Sequence, residues 1–157
     1  MSTYDPRNSQ HRMELAAAII VKIKECGFVE VKRPRTTERV YSRQVDGHPG
    51  VQVLVYTSIE GRRIRERAKD AIRVCATYTN SEGVEYGIAR ADKRVNRTGT
   101  FEGIVERVYL RLRDVYGAAL RPTTCPRCGA PMFRSKKKND VCAELCWTKD
   151  RKPPDHG

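Results

Sequence analysis

The sequence predicts an α+β fold: an antiparallel sheet of three to five strands with two helices on one face, followed by a small C-terminal ribbon built on four cysteines. Three observations predict it. Segments 9–26 and 101–116 space their apolar residues as helices do. Between them lie short β-branched or alternating segments joined by turn clusters. Four cysteines then crowd into the last quarter of the chain, as Cys125-Pro-Arg-Cys128 and Cys142-Ala-Glu-Leu-Cys146.

Each element has its own justification. Residues 1–8 are polar and read as disordered. From Ser9 to Cys26, Met13, Ala16, Ala17 and Ile20 form one helical face, with Leu15, Ile19 and Ile23 adjoining, and Gly27 supplies a stop. Residues 28–33 form a short strand ended by Pro34, and 39–45 a second. The cluster Asp46-Gly47-His48-Pro49-Gly50 is a turn, and Val51 to Thr57 is the strongest strand pattern in the chain. Residues 71–79 alternate, and Asn80 to Gly83 turn the chain back into 84–91. The second helix carries Phe101, Ile104, Val105, Val108, Leu112 and Val115 on one stripe, with Thr100 as N-cap and Gly117 at its end. Residues 9–120 thus form one basic domain, 121–150 the ribbon and 151–157 a disordered tail.

Two close thiol pairs thirteen residues apart match the needs of tetrahedral Zn²⁺, each pair supplying two ligands from a tight turn. Cys125, Cys128, Cys142 and Cys146 are therefore the expected ligands of one structural zinc ion per chain. Disulfides fit less well, because the N-terminus MSTYDPRNSQHR has no apolar leader. The absence of a leader and of a long apolar stretch points to an intracellular protein, in cytoplasm, nucleoid or nucleus, with no membrane partner. Cys26 and Cys75 lie among apolar residues and read as core.

The run Cys125-Pro-Arg-Cys128-Gly129-Ala130-Pro131-Met132 resembles the zinc ribbons that follow the catalytic domains of type IA DNA topoisomerases. The resemblance covers residues 123–147 and implies affinity for single-stranded DNA. The second knuckle departs from that pattern in its Cys-x₃-Cys spacing and in lacking the aromatic residue and glycine before it.

Charge points the same way. The net charge is +12, and 21 of the 31 basic residues are arginine, the side chain suited to bidentate phosphate contacts. Residues 1–120 carry +7 and residues 121–157 carry +5. Three basic clusters are candidate nucleic-acid contacts. The first is Arg62, Arg63, Arg65, Arg67 and Lys69, in the connection between two strands. Lys93, Arg94, Arg97 and Thr98, just before the second helix, are placed to use its N-terminal N–H groups as a phosphate cradle. Lys136, Lys137 and Lys138 in the ribbon loop would add sequence-blind, salt-sensitive affinity, and Trp147 is placed either to stack on a base or to pack against the metal knuckle. Tyr56, Tyr78 and Tyr86 form a stacking platform if they face the helix-free side of the sheet, and core if they do not.

These features predict a non-catalytic nucleic-acid-binding protein of replication, recombination or repair. It would favour DNA over RNA and single strands over duplex, and could act in strand annealing, especially as a homo-oligomer. Two other readings compete. Glu30-Val31-Lys32 resembles the Glu-x-Lys of Mg²⁺-dependent nucleases, without the acidic strand residue that should precede it. The ribbon could alternatively be an adaptor for a protein partner.

Overall fold

The computed structural model describes residues 3–34, 38–57 and 72–147. Its elements in chain order are α1 (Ser9–Glu25), β1 (Val29–Val31), β2 (Arg39–Gln44), β3 (Val51–Thr57), β4 (Ile72–Thr79), β5 (Glu85–Val95), α2 (Phe101–Leu120), β6 (Met132–Arg134) and β7 (Asp140–Cys142). Seven antiparallel strands lie side by side in chain order. The expected two-layer α+β architecture is present, and the sheet runs on from the main domain into the ribbon.

Alternation along the strands decides the two faces. Val51, Val53 and Val55 of β3, with Ile72, Val74 and Ala76 of β4, face the helices and form one core with Leu15, Ile19 and Ile23 of α1 and Ile104, Val108 and Leu112 of α2. On the other face Val40, Leu54 and Cys75 are buried together, with Val31 and Tyr56 packed against them. Gly50 makes the β2–β3 turn possible: its φ is +80°, and a Cβ there would stand 2.8 Å from the Thr79 carbonyl.

Both helices differ in detail from the sequence expectation. Asn8 caps α1, accepting from the N–H groups of Gln10 (2.9 Å) and His11 (3.2 Å). The buried face of α1 is Leu15, Ala16, Ile19 and Ile23, while Met13 is 68% exposed, so the face is rotated from the predicted one. Thr100 caps α2 as predicted, accepting from Gly103 N–H at 3.0 Å. Gly117 does not end α2, which continues to Leu120. Burial of Ala119 in the core outweighs the helix penalty of glycine, about 1 kcal/mol. Thr3 and Tyr4, in the segment read as disordered, are ordered: Thr3 bridges Thr100, and Tyr4 is buried edge-on against Phe101.

The ribbon docks on the far edge of β5. The β4–β5 register shifts between Cys75 and Thr77, a bulge in which Arg90 takes φ +65°. Ile88 pairs with Phe133 of β6, and the rings of Tyr86 and Phe133 stack at 4.3 Å. From the bulge, Arg90 reaches the ribbon, contacting Asp140 at 3.1 Å and Thr123 Oγ1 at 3.3 Å. No helix among the described residues is long and apolar enough to cross a membrane.

Candidate functional site

The four predicted thiols converge. Cys125, Cys128, Cys142 and Cys146 place their sulfurs within 4.8 Å of one another. Between the knuckles, Cys125 and Cys146 are 3.5 Å apart and Cys128 and Cys142 3.4 Å. A disulfide needs about 2.05 Å between sulfurs. A tetrahedral ion with bonds near 2.3 Å needs sulfurs about 3.8 Å apart. The spacing fits a four-sulfur metal site, and the four cysteines are not linked as disulfides.

Local backbone chemistry shapes each knuckle. Gly129 N–H donates to the Cys125 carbonyl and Cys125 N–H to the Ala130 carbonyl, both at 2.8 Å, closing a turn in which Gly129 has φ +78°. In the second knuckle Leu145 N–H donates to the Cys142 carbonyl at 3.0 Å. N–H groups of Cys128 and then Arg127 point at the Cys125 sulfur and hold its thiol down at about 6. Burial pushes Cys146 up to about 12 and raises Cys128. One sulfur is thus ready to ionise while others resist, and a bound cation is what would let all four ionise together. Elsewhere, burial pushes the Cys75 thiol up to about 11, in keeping with a core residue.

Beside the ribbon, the face of the sheet turned away from α1 and α2 forms a groove of about 360 Å³. Arg33, Tyr56 and Arg73 line one part of it, and Arg90, Phe133 and Arg134 the part next to and within the ribbon. Acidic neighbours set the guanidinium groups in place. Arg33 pairs with Glu85, which also accepts from Thr77 Oγ1 at 2.8 Å and Gln52 Nε2 at 3.2 Å. Arg73 pairs with Asp92 at 2.7 Å, while Arg90 and Arg134 share Asp140 at 3.1 and 3.3 Å. Four arginines against three carboxylates leave the groove net positive, with guanidinium N–H groups to spare.

The predicted contacts fare unevenly. Arg62, Arg63, Arg65, Arg67 and Lys69 lie outside the described residues. Lys93 and Arg94 are exposed on β5 rather than in a loop. Arg97 corrects the phosphate-cradle expectation, because it is only 3% exposed. The ordered N-terminal segment covers this loop: Tyr4 N–H donates to the Gly99 carbonyl at 2.8 Å. Arg107 fills the rest, donating to Asn96 and to the Thr98 carbonyl, while the Thr98 hydroxyl donates to Asn96 Oδ1. Lys136, Lys137 and Lys138 are exposed at the β6–β7 turn and form no ion pair among the described residues. Trp147 is 39% exposed.

The tyrosines divide. Tyr56 lines the groove, with Arg73 over its ring at 6.0 Å. Tyr78 packs on the helix-side core and donates to Glu144 Oε2 at 2.6 Å, a bond that pushes its hydroxyl up to about 12. Tyr86 is taken up by its stack on Phe133. Glu30 forms a two-pronged pair with Arg39, both contacts at 3.1 Å, which holds its carboxyl below the usual range. Among the described residues the only cluster of three or more possible metal-binding side chains is the cysteine set, so no such cluster forms around Glu30. Sequence reasoning missed Arg33, Arg73, Arg90 and Phe133. The alternation on β4 could have flagged Arg73, but nothing local points to the others.

Residues 115–144 match the family model of Sjogren's syndrome/scleroderma autoantigen 1 (autoantigen p27). With the cysteine cluster at 125–146, that likeness fits a small C-terminal zinc-binding segment, and the likeness to topoisomerase ribbons has no further support. No curated protein and no solved structure matches the chain.

Proposed function

We propose that this protein binds single-stranded nucleic acid, DNA by preference, along the face of its sheet turned away from α1 and α2, and that the ribbon is a structural Zn²⁺ module, one ion per chain, that extends this surface. The observation that carries the reading is the groove itself, in which four arginines and two aromatic side chains from the sheet and the ribbon line one channel. Guanidinium groups would grip successive phosphates, and Tyr56, with the face of Phe133 not stacked on Tyr86, would offer ring surface to unpaired bases. Duplex DNA hides its bases and gains nothing from those rings, so single strands are favoured. The preference for DNA rests on the ribbon's resemblance to those of type IA topoisomerases.

Zn²⁺ supplies no chemistry to a substrate in this reading. Four sulfur ligands leave no open position, so the ion folds the knuckles and holds β6 and β7 in place. Strand annealing would follow from neutralised phosphates, which let two complementary strands approach.

Fluorescence anisotropy with labelled single-stranded and duplex DNA and RNA, titrated across salt, tests the reading. Tightest binding to single-stranded DNA, weakening steeply with salt, is expected. Equal, weak binding to all four would refute it and favour a protein partner for the ribbon.

A further inference from the structure

Phe133 and Arg134 stand on β6, so part of the groove wall belongs to the ribbon. Little backbone holds β6 there, since Ile88 with Phe133 is the one paired position between β5 and β6. The densest contacts centre on Glu144, which lies between the ligands Cys142 and Cys146. Glu144 Oε1 accepts from Ser81 Oγ at 2.6 Å and Oε2 from Tyr78 Oη at 2.6 Å. The Ser81 N–H reaches the two oxygens at 3.2 and 3.0 Å. Beside it, buried Asn80 donates to the Ala143 carbonyl at 2.9 Å.

We propose that Glu144 is a positioning residue that makes binding in the groove depend on the metal, a proposal that rests on the functional reading above. The ion fixes Cys142 and Cys146, the turn between them fixes Glu144, and Glu144 latches the ribbon to the β4–β5 turn through Ser81 and Tyr78. The buried apolar content of the ribbon is Cys125, Ala130, Cys142 and Ala143, too little to fold the module without an ion. When the ion leaves, the turn loosens, Glu144 departs from Tyr78 and Ser81, and Phe133 and Arg134 leave the groove. Tyr56 and Arg73 remain, because β3 and β4 are packed by α1 and α2 rather than by the ribbon. The metal-free protein is therefore a weakened binder with an intact main domain.

The test uses the full chain loaded with Zn²⁺, the same chain after chelation, and the variants Glu144→Gln and Phe133→Ala. A short labelled single-stranded DNA reports binding. Hydrogen exchange at β5 and β6 reports docking, and the absorption of the cobalt(II)-substituted protein reports an intact four-thiolate set. Chelation is expected to weaken binding about tenfold or more, the scale of one lost stacking contact. Glu144→Gln should keep the cobalt spectrum yet lose protection at β6 and bind like the chelated protein. In Phe133→Ala, chelation should cost less than in the native chain, because one of the two contacts it removes is already gone and only that of Arg134 remains to lose. If Glu144→Gln disturbs the cobalt spectrum, Tyr78→Phe removes a latch donor from the sheet side and is read in its place.

Native affinity and salt dependence in the chelated protein or in the latch variant would overturn the proposal. Failure of the zinc-loaded native chain to bind single-stranded DNA at low salt would instead overturn the functional reading. Hydrogen exchange would then still decide whether Glu144 couples β6 to the metal.

Discussion

Arg134→Ala is the cleanest perturbation of the groove, because Asp140 keeps Arg90 as its partner and no carboxylate is stranded. Each phosphate contact on a single strand adds about 0.7 to the slope of log affinity against log salt. Arg33, Arg73, Arg90 and Arg134 together would give a slope of about −2.8, so a fourfold rise in salt weakens binding about fiftyfold. Losing Arg134 should bring the slope to about −2.1 and the same rise to about twentyfold. Contacts from Lys136 to Lys138 steepen both slopes equally and leave the difference unchanged. Stability should change by less than about 1 kcal/mol, since the ion pair is exposed. Anisotropy titrations at several salt concentrations read the slope, and thermal unfolding checks the fold. Arg111→Ala is the control, because Arg111 lies on α2 and pairs with Asp114. An unchanged slope in Arg134→Ala, or an equal fall in Arg111→Ala, would show that phosphate contacts do not lie in the groove.

Other outcomes follow from the fold and the metal centre. Gly117→Ala should stabilise the protein by about 0.4–1 kcal/mol, since Gly117 is helical and nothing lies within 4 Å of an added Cβ; a loss in denaturant midpoint would contradict this. Ile104→Ala, which opens the core between α2 and the sheet, should cost about 2–5 kcal/mol in chemical denaturation, whereas an exposed helix position would cost far less. Glu30 should titrate below the ordinary glutamate value, because Arg39 hydrogen-bonds its charged form. The stability it contributes is present above the unfolded-state pKa and is lost as pH falls through the lower folded value. An NMR titration reads the midpoint, and Arg39→Ala should return it to the ordinary range. Added Mg²⁺ should leave the titration unmoved, whereas a metal-dependent shift would revive the nuclease reading. Chelation should abolish amide protection across 123–147 while the helical circular dichroism of α1 and α2 persists; global unfolding would show that the ribbon and main domain are one cooperative unit.

Features that depend on local chemistry are legible in the amino-acid order alone. Apolar spacing located both helices and the strands, because a helix or strand with one buried face must repeat at its own period. Thr100 was legible as a cap, and the four cysteines as a metal site, because ligand spacing within a tight turn is a property of the turn. Local chemistry also misled where tertiary packing overrode it. Gly117 continues a helix because Ala119 beyond it is buried, and Arg97 is covered because Tyr4, ninety-three positions earlier, folds over its loop. The groove was beyond reach of the sequence for a related reason. Arg33, Arg73, Arg90 and Arg134 meet only once strand order, a bulge at Arg90 and the docking of β6 on β5 are fixed. Glu144 reads as one more charged surface residue until the sheet brings Tyr78 and Ser81 beneath it. Periodicity encodes which way a side chain faces, whereas the partner it meets across the molecule is set by the whole packed chain.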